Sequence, residues 1–228
     1  MTTATCTPLP TFGRPGGRPL TWKPSIPPAA DLREEQVRPA DCPITPKVVE
    51  VDVTELTVAT DGSVGCAPGV GWSAGWGWIT HEGSTDAGHL AGVRHPTVAE
   101  VVAVARVCGS VQRNRPLQVL TDSRDAVLMV DRLLAGEEPM VIARAVPARY
   151  HVMVTKALTT IRRRAVAGPV EVSWVKGHAG HQLQEVADRL AVLGRRRYQA
   201  GLNDLERRIQ EIAAEFVRMS VPASSVTQ

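Results

Sequence analysis

Apolar and polar positions alternate through residues 54–91, and this period predicts β-strands. The segment from Thr54 to Thr60 is rich in β-branched residues, and the segment from Val70 to Thr80 places three tryptophans on one parity. Between these two segments, Pro68-Gly69 is a turn signal. A third, shorter strand is expected from Thr85 to Ala91. The three consecutive strands are predicted to form an antiparallel meander.

After residue 91 the pattern changes to helices separated by short, largely apolar strands. Helices are expected over residues 97–112, 124–134, 147–166 and 184–200, and strands over 117–120 and 170–175. Thr97 and Ser123 stand at the N-cap positions of the first two helices. Because β-α crossovers place helices on the faces of a sheet, this order predicts an α/β fold, a mixed five-stranded sheet flanked by helices.

Three regions are predicted along the chain: a Pro-rich irregular arm over residues 1–50, the α/β domain over 51–200, and an amphipathic helix with a tail over 201–228. Ten of the 17 prolines fall within the first 46 residues. In the last region, apolar residues recur at spacings of three and four: Leu202, Leu205, Ile209, Ile212, Phe216 and Met219. This stripe fits two arrangements, packing against the domain or association of residues 202–219 with a second copy or another protein.

Composition narrows the class of protein only modestly. The chain has 43% hydrophobic residues and a net charge of +3, and it lacks a run of about 18 apolar residues that would span a membrane. Its four cysteines form no close pair, which argues against a zinc site and a disulfide framework and favours a cytoplasmic location. Residues 141–200 hold eleven Lys or Arg but three Asp or Glu. That imbalance suits a polyanionic partner, although a solvated basic face explains it equally well.

Four acidic residues are candidates for a shared site, and each has a simpler alternative. Asp61 ends the first predicted strand, where Asp-Gly-Ser is also common turn chemistry. Glu100 would form a capping box with Thr97. Asp122 follows the strand 117–120, at the edge where open α/β sheets place their sites, and it could merely begin a turn. Asp188 could be an ordinary exposed helix residue. Carboxylates repel one another when they crowd together, so a protein gathers them mainly to hold hard cations such as Mg²⁺.

A glycine-punctuated loop, Lys176-Gly177-His178-Ala179-Gly180-His181, follows the last predicted strand. Two histidines three positions apart could bind zinc, but the loop brings no cysteine and no helix to support such a site.

Taken in order, these residues resemble the ribonuclease H family, type 1, over residues 55–198. The motifs that carry the resemblance are Thr60-Asp61-Gly62-Ser63, Thr121-Asp122-Ser123, Trp174 to His181, Glu185, and Ala187-Asp188-Arg189-Leu190-Ala191. The resemblance implies a ribonuclease H-like fold, which agrees with the order of strands and helices. It also implies an enzyme that cuts the RNA strand of RNA–DNA hybrids and leaves a 5′-phosphate and a 3′-hydroxyl.

The resemblance further implies roles for single residues. Asp61, Glu100, Asp122 and Asp188 would be ligands of two Mg²⁺ ions, with Mn²⁺ as an alternative, and His178 would assist proton movement and product release. The substrate would contact the remaining motif positions, Gly62, Ser63, Ser123, Arg124, Lys176 and Gln184. A basic surface running from Arg149 to Arg164 would follow the nucleic-acid backbone together with Lys176.

The sequence departs from the family pattern mainly at positions that contact the substrate in that family. Arg94-His95-Pro96-Thr97 stands where the family usually has an Asn, Arg124 replaces a common Gln, and Gln184 replaces a common Asn. Two other functions therefore stay open. One is a hybrid- or duplex-binding module that cleaves weakly and recruits a partner through its terminal regions. The other is a related DNA nuclease or recombinase with the same fold.

Overall fold

Five strands form one mixed sheet in the computed structural model of the chain, which describes residues 54–201 and 203–220. The strands are β1 Leu56–Ala67, β2 Gly71–Thr80, β3 Thr85–Ala91, β4 Leu117–Thr121 and β5 Val170–Trp174. Their order across the sheet is β3-β2-β1-β4-β5. The first three are antiparallel, whereas β4 runs parallel to β1 and β5 parallel to β4. The predicted α/β fold with a five-stranded mixed sheet is confirmed.

Six helices accompany the sheet within the described residues. They are α1 Pro96–Ser110, α2 Arg124–Leu134, α3 Pro139–Ile142, α4 His151–Ala167, α5 Gln182–Ala200 and α6 Leu205–Ser220. The helix predicted over 147–166 begins later, because Ala148–Tyr150 form a short 3₁₀ turn, the second of two that precede α4. The four-residue α3 was not predicted, and its Pro139 occupies a first-turn position that tolerates proline. None of the described helices is both long and apolar enough to cross a bilayer.

Alternation along the central strands sends successive side chains to two separate cores. Val58 packs in a core with α1, α2 and α4, whereas the next residue, Ala59, packs on the opposite face with α5 and α6. Val119 and Leu120 of β4 divide in the same way. The central strands are therefore covered on both faces, and their carboxyl ends are where polar side chains can emerge.

The amphipathic helix α6 packs back onto its own domain. Leu205, Ile209 and Phe216 are buried in the core formed with α5, and Arg189 of α5 pairs with Glu215 at 2.7 Å. Of the two arrangements that the apolar stripe allowed, the structure shows packing against the domain for the three buried residues. Met219 is exposed and Leu202 lies outside the described residues, so association through residues 202–219 stays a prediction. The Pro-rich arm, residues 1–50, lies outside the described residues, and the three regional boundaries stay a prediction.

The first strand is longer than its sequence pattern suggested. β1 continues to Ala67, so Asp61 lies within the strand opposite Gly77 of β2, and the interpretation of Asp61 as a strand end is wrong. The tryptophans of β2 also differ in burial, since Trp72 is 46% exposed and Trp76 is 6% exposed. Long-range pairing with β2 extends β1, and local alternation could not reveal this.

The predicted capping box at the start of α1 is wrong. The helix begins at Pro96 with extended His95 at the N-cap, because proline fixes a helical φ and lacks the N–H that a cap would satisfy. Thr97 therefore lies within the helix, and its hydroxyl donates to the Asp125 carboxylate at 3.2 Å. Glu100 therefore does not cap α1, and the capping box does not explain why an acid stands at this position.

Candidate active site

Three carboxylates from three different elements meet beside the carboxyl end of β4, where β1 continues past its pairing with β4. Asp61 comes from β1, Glu100 from the second turn of α1, and Asp122 from the residue that follows β4. One oxygen of each lies within 4.8 Å of the others. Asp61 and Glu100 are each only 6% exposed, and Asp122 is partly exposed. Such a group of oxygens is suited to a hard divalent cation.

A glycine lets α1 approach β1 closely enough to bring Glu100 to Asp61. A Cβ built on Gly62 would lie 2.6 Å from the Glu100 backbone nitrogen and 2.8 Å from the Ala99 Cβ. Any side chain at this position would push the helix from the strand. The Gly62 amide also donates to the Asp61 and Glu100 carboxylates, which offsets part of the rise that burial causes in the pKa of each. Gly62 therefore acts through its missing side chain and its backbone N–H.

Asp122 is held from the opposite side by β5 and the loop after it. The Trp174 indole Nε1–H donates to the Asp122 carbonyl at 3.0 Å. A Cβ on Gly177 would collide with the Asp122 carboxylate, so this glycine allows the loop to pass beside the site. The Arg124 guanidinium stacks over the Trp174 ring at 4.4 Å from its centroid. Sequence reasoning assigned Trp174 no role, although its place in the last motif was a signal.

The first turns of α5 bring the fourth acid to the cluster. Asp188 shares a hydrogen bond with Asp61 and joins the group of three from the α5 side. Gln184, one turn earlier, is 3% exposed, and its Nε2 donates to the Thr60 carbonyl at 3.1 Å. This bond ties α5 to β1 directly beside Asp61. The structure thus gives Gln184 an anchoring contact, while its predicted contact with substrate stays a prediction.

The acids of the site have no positively charged partner among the described residues. Burial first, and then the charges of Asp122 and Asp188, raise the pKa of Asp61 to about 8. Burial, followed by the charges of Asp61 and Asp122, raises the pKa of Glu100 well above its usual range. Across the described residues, no Lys or Arg forms an ion pair with these acids. The arrangement therefore favours either protons or added cations.

The glycine-punctuated loop places His178 over the carboxylates. His178 has a φ of 53° and lines a small recess shared by Asp61, Asp122, Glu185 and Asp188. Its side chain is exposed to solvent. Glu185 also lines this recess, and its place in the same motif as Asp188 was the sequence signal for it.

The other residues predicted to contact substrate differ in their exposure and in their hydrogen-bond partners. Lys176 and Arg124 are exposed. Ser123 caps α2 by accepting from the Ala126 amide at 3.2 Å, and Ser63 accepts from Arg195 Nε at 3.0 Å. Both hydroxyls accept a hydrogen bond from the protein, and each keeps its O–H to donate to a ligand.

The basic stretch from Arg149 to Arg164 is not one surface, which corrects the sequence-based prediction. Arg149 stacks on Tyr150 before α4 begins, while Arg163 and Arg164 lie in the last turns of that 17-residue helix, about 25 Å long. Arg162 pairs with Glu138 at 3.1 Å. Arg164 is 2% exposed. A helix distributes consecutive residues around its axis, so a run of three arginines cannot face one ligand.

Residues 53–196 match the profile of the RNase H family. The chain belongs to the RNase H family. It is 31% identical over 142 residues to ribonuclease H of Ralstonia nicotianae (strain ATCC BAA-1114 / GMI1000), covering 61% of this chain and 91% of that relative. Ribonuclease H of Tropheryma whipplei (strain Twist) is 27% identical over 140 residues, covering 60% and 82% of the two chains.

A solved structure of the foamy viral protease-reverse transcriptase in complex with dsDNA is also similar to this chain. Its TM-score is 0.47 at 20% identity, with 61% of this chain and 93% of that chain covered. Membership in the RNase H family makes the chain a hydrolase and nuclease that binds nucleic acid. The family depends on divalent metal ions, which agrees with the carboxylate cluster.

Proposed function

We propose that this chain hydrolyses the RNA strand of RNA–DNA hybrids with the help of two Mg²⁺ ions and leaves 5′-phosphate and 3′-hydroxyl ends. The observation that carries the proposal is the meeting of Asp61, Glu100 and Asp122, with oxygens within 4.8 Å of one another. Membership in the RNase H family supports hydrolysis of a nucleic acid, and the three carboxylates are the kind of ligands that metal-assisted hydrolysis requires.

The residues present fit divalent cations on electrostatic grounds. Three mutually repelling carboxylates, two of them buried, have no compensating Lys or Arg within the described residues, and the pKa of Asp61 is raised to about 8. Asp61, Glu100 and Asp122, joined by Asp188, would hold the ions. Bound there, Mg²⁺, or Mn²⁺ in its place, would neutralise the scissile phosphate and lower the pKa of an attacking water.

The protein's own residues would orient the substrate and move protons. The Gly62 amide keeps two carboxylates aligned by hydrogen bonding. Arg124, stacked on Trp174 beside Asp122, presents a guanidinium that can pair with a backbone phosphate. His178 is exposed above the cluster, where an imidazole can exchange protons with solvent and with the departing product.

The test is cleavage of one sequence presented in three duplex forms. A hybrid labelled on its RNA strand, a double-stranded DNA and a double-stranded RNA would be incubated with the full chain in Mg²⁺, in Mn²⁺ and in chelator. We expect metal-dependent cutting of the hybrid RNA strand only, with 3′ ends that a polymerase can extend. Tight hybrid binding without cutting would instead establish the binding-module function, and cutting of the DNA duplex would establish a DNA nuclease.

A further inference from the structure

At the end of α1 distant from Glu100 lies a second charged site, whose charged residues are all arginines. A cavity of about 250 Å³ lies between the last turns of α1 and α4 and is lined by Cys108, Gly109, Thr160, Arg113, Arg163 and Arg164. Nine residues separate Gly109 from Glu100, which is roughly 13 Å along the helix axis. Among the described residues, no Asp or Glu lines this cavity. The three arginines also form no ion pair within the described part of the chain.

Arg164 is the unusual member of this group because it is a buried cation without an acid. It is 2% exposed, and its two terminal nitrogens donate to the carbonyls of Gly168 and Arg115. Its Nε–H is buried without a hydrogen-bond partner in the described structure. Carbonyl dipoles satisfy part of its hydrogen bonding but do not cancel its charge, and buried guanidinium groups are normally paired.

The two exposed arginines point to what would complete the site. Arg113, in the loop after α1, and Arg163, in the last turn of α4, approach the cavity from separate elements. Guanidinium groups bind phosphate oxygens with paired hydrogen bonds, and three of them around one space suit an anion of more than one charge. We propose that this cavity, which we call the arginine pocket, binds a phosphate group at a site separate from the carboxylate cluster.

An adjoining groove extends the same positive surface along α1 and α4. It has a volume of about 460 Å³ and shares Gly109 and Thr160 with the arginine pocket. Arg106 and Lys156 line it, and no Asp or Glu of the described residues does. The Arg106 guanidinium carbon lies 5.0 Å from the centroid of the Trp76 ring. A phosphate in the pocket could therefore belong to a nucleic-acid backbone continuing along the groove or to a smaller phosphorylated compound. The shared chemistry is the phosphate.

The experiment titrates the full chain with inorganic pyrophosphate in chelator, by calorimetry and by NMR of backbone amides. Chelator removes divalent ions from the carboxylate cluster, so no cation can bridge the probe to those acids and the result does not depend on cleavage. We expect one saturable site per chain, with the largest amide shifts at Cys108, Gly109 and Ala167. The double variant Arg113→Ala with Arg163→Ala should bind at least about tenfold more weakly. Both residues are exposed, so this variant avoids the folding risk of changing Arg164.

Arg197→Ala with Arg218→Ala is the matched control, because it removes the same charge from exposed positions of α5 and α6. Absence of saturable binding, equal affinity in the two double variants, or amide shifts centred elsewhere would each overturn the proposal. The KM for hybrid in Mg²⁺ then identifies the source of the phosphate. A KM raised only in the Arg113/Arg163 variant assigns the pocket to the nucleic-acid backbone. An unchanged KM with lost pyrophosphate binding assigns it to a separate phosphate compound.

Discussion

The two ends of α1 carry uncompensated charge of opposite sign. At the second turn, Glu100 meets Asp61 and Asp122, and no Lys or Arg of the described residues pairs with them. At the last turn, Gly109 borders the arginine pocket, which no Asp or Glu of the described residues lines. Both ends bury charge that folding alone would avoid, since a buried charge without a partner is costly. Each end is therefore better explained by a ligand of opposite charge than by stability.

The two ends differ in how they are built. Glycines at the acid end, Gly62 and Gly177, remove side chains so that backbone segments meet around fixed carboxylates. Two exposed arginines at the other end extend from a loop and a helix terminus around one fixed, buried Arg164. A site of closely packed, buried groups favours chemistry on a fixed geometry, whereas exposed cations around a buried one suit retention of an anion. The difference predicts that changes at the acid end affect turnover and changes at the arginine end affect affinity.

The largest expected effect is loss of turnover when either central acid is neutralised. Asp61→Asn and Asp122→Asn should each lower the rate of hybrid cleavage by at least about 10³-fold, because an amide keeps the shape of the side chain but removes the charge that holds a cation. Cleavage assays in Mg²⁺ measure the rate, and circular dichroism checks that the fold is intact. Asp125→Asn is the matched control, since Asp125 bonds to Thr97 and lies outside the cluster. Cleavage that survives in either central variant would show that the catalytic centre lies elsewhere.

A second test compares Gly62, which packs against α1 from β1, with Gly109, which lies in the last turn of α1. Gly62→Ala should destabilise the fold by about 3 kcal/mol, because its Cβ would lie 2.6 Å from the Glu100 backbone nitrogen and the helix must move. Gly109→Ala should change stability by less than about 1 kcal/mol, because its Cβ would meet only Thr160 Cγ2, at 3.8 Å, and alanine favours helix. Urea denaturation measures both. Equal tolerance at the two positions would contradict the close packing of β1 against α1.

Sequence patterns located the acid end well and missed the arginine end. The helix over 124–134 was predicted with correct bounds because Ser123 caps it, and this signal is local. The structure brings Asp61 together with Glu100 and Asp122, and its role stays a prediction. Its strand was ended too early because pairing with β2 is a long-range contact. Arg164 could not be recognised, since Arg162-Arg163-Arg164 has the sequence of an exposed helix end. Its burial depends on the carbonyls of Gly168 and Arg115, which the fold brings to it.

The raised pKa values at the acid end predict how stability depends on pH without metal. The pKa of Asp61 in the folded state is about 8, above its ordinary value, so the folded protein holds a proton that the unfolded chain releases. Stability should therefore fall by about 2 kcal/mol as pH rises from about 6 to 8 in chelator. Thermal unfolding measures this trend. Asp61→Asn should flatten it, and Mg²⁺ should restore stability at the higher pH. A wild-type curve in chelator that rises over this window would contradict the burial of uncompensated acids.

The smallest expected effect is the coupling between the two ends. Asp61→Asn should raise metal-free stability at neutral pH, whereas Arg163→Ala should change it little because that side chain is exposed. The sites share no residue and lie more than 10 Å apart along α1, so the double variant should equal the sum of the single changes within about 0.5 kcal/mol. Urea denaturation of the four proteins in chelator measures this coupling. A larger coupling would mean that α1 transmits a change from one end to the other, and the acid cluster and the arginine pocket would then have to be treated as one site.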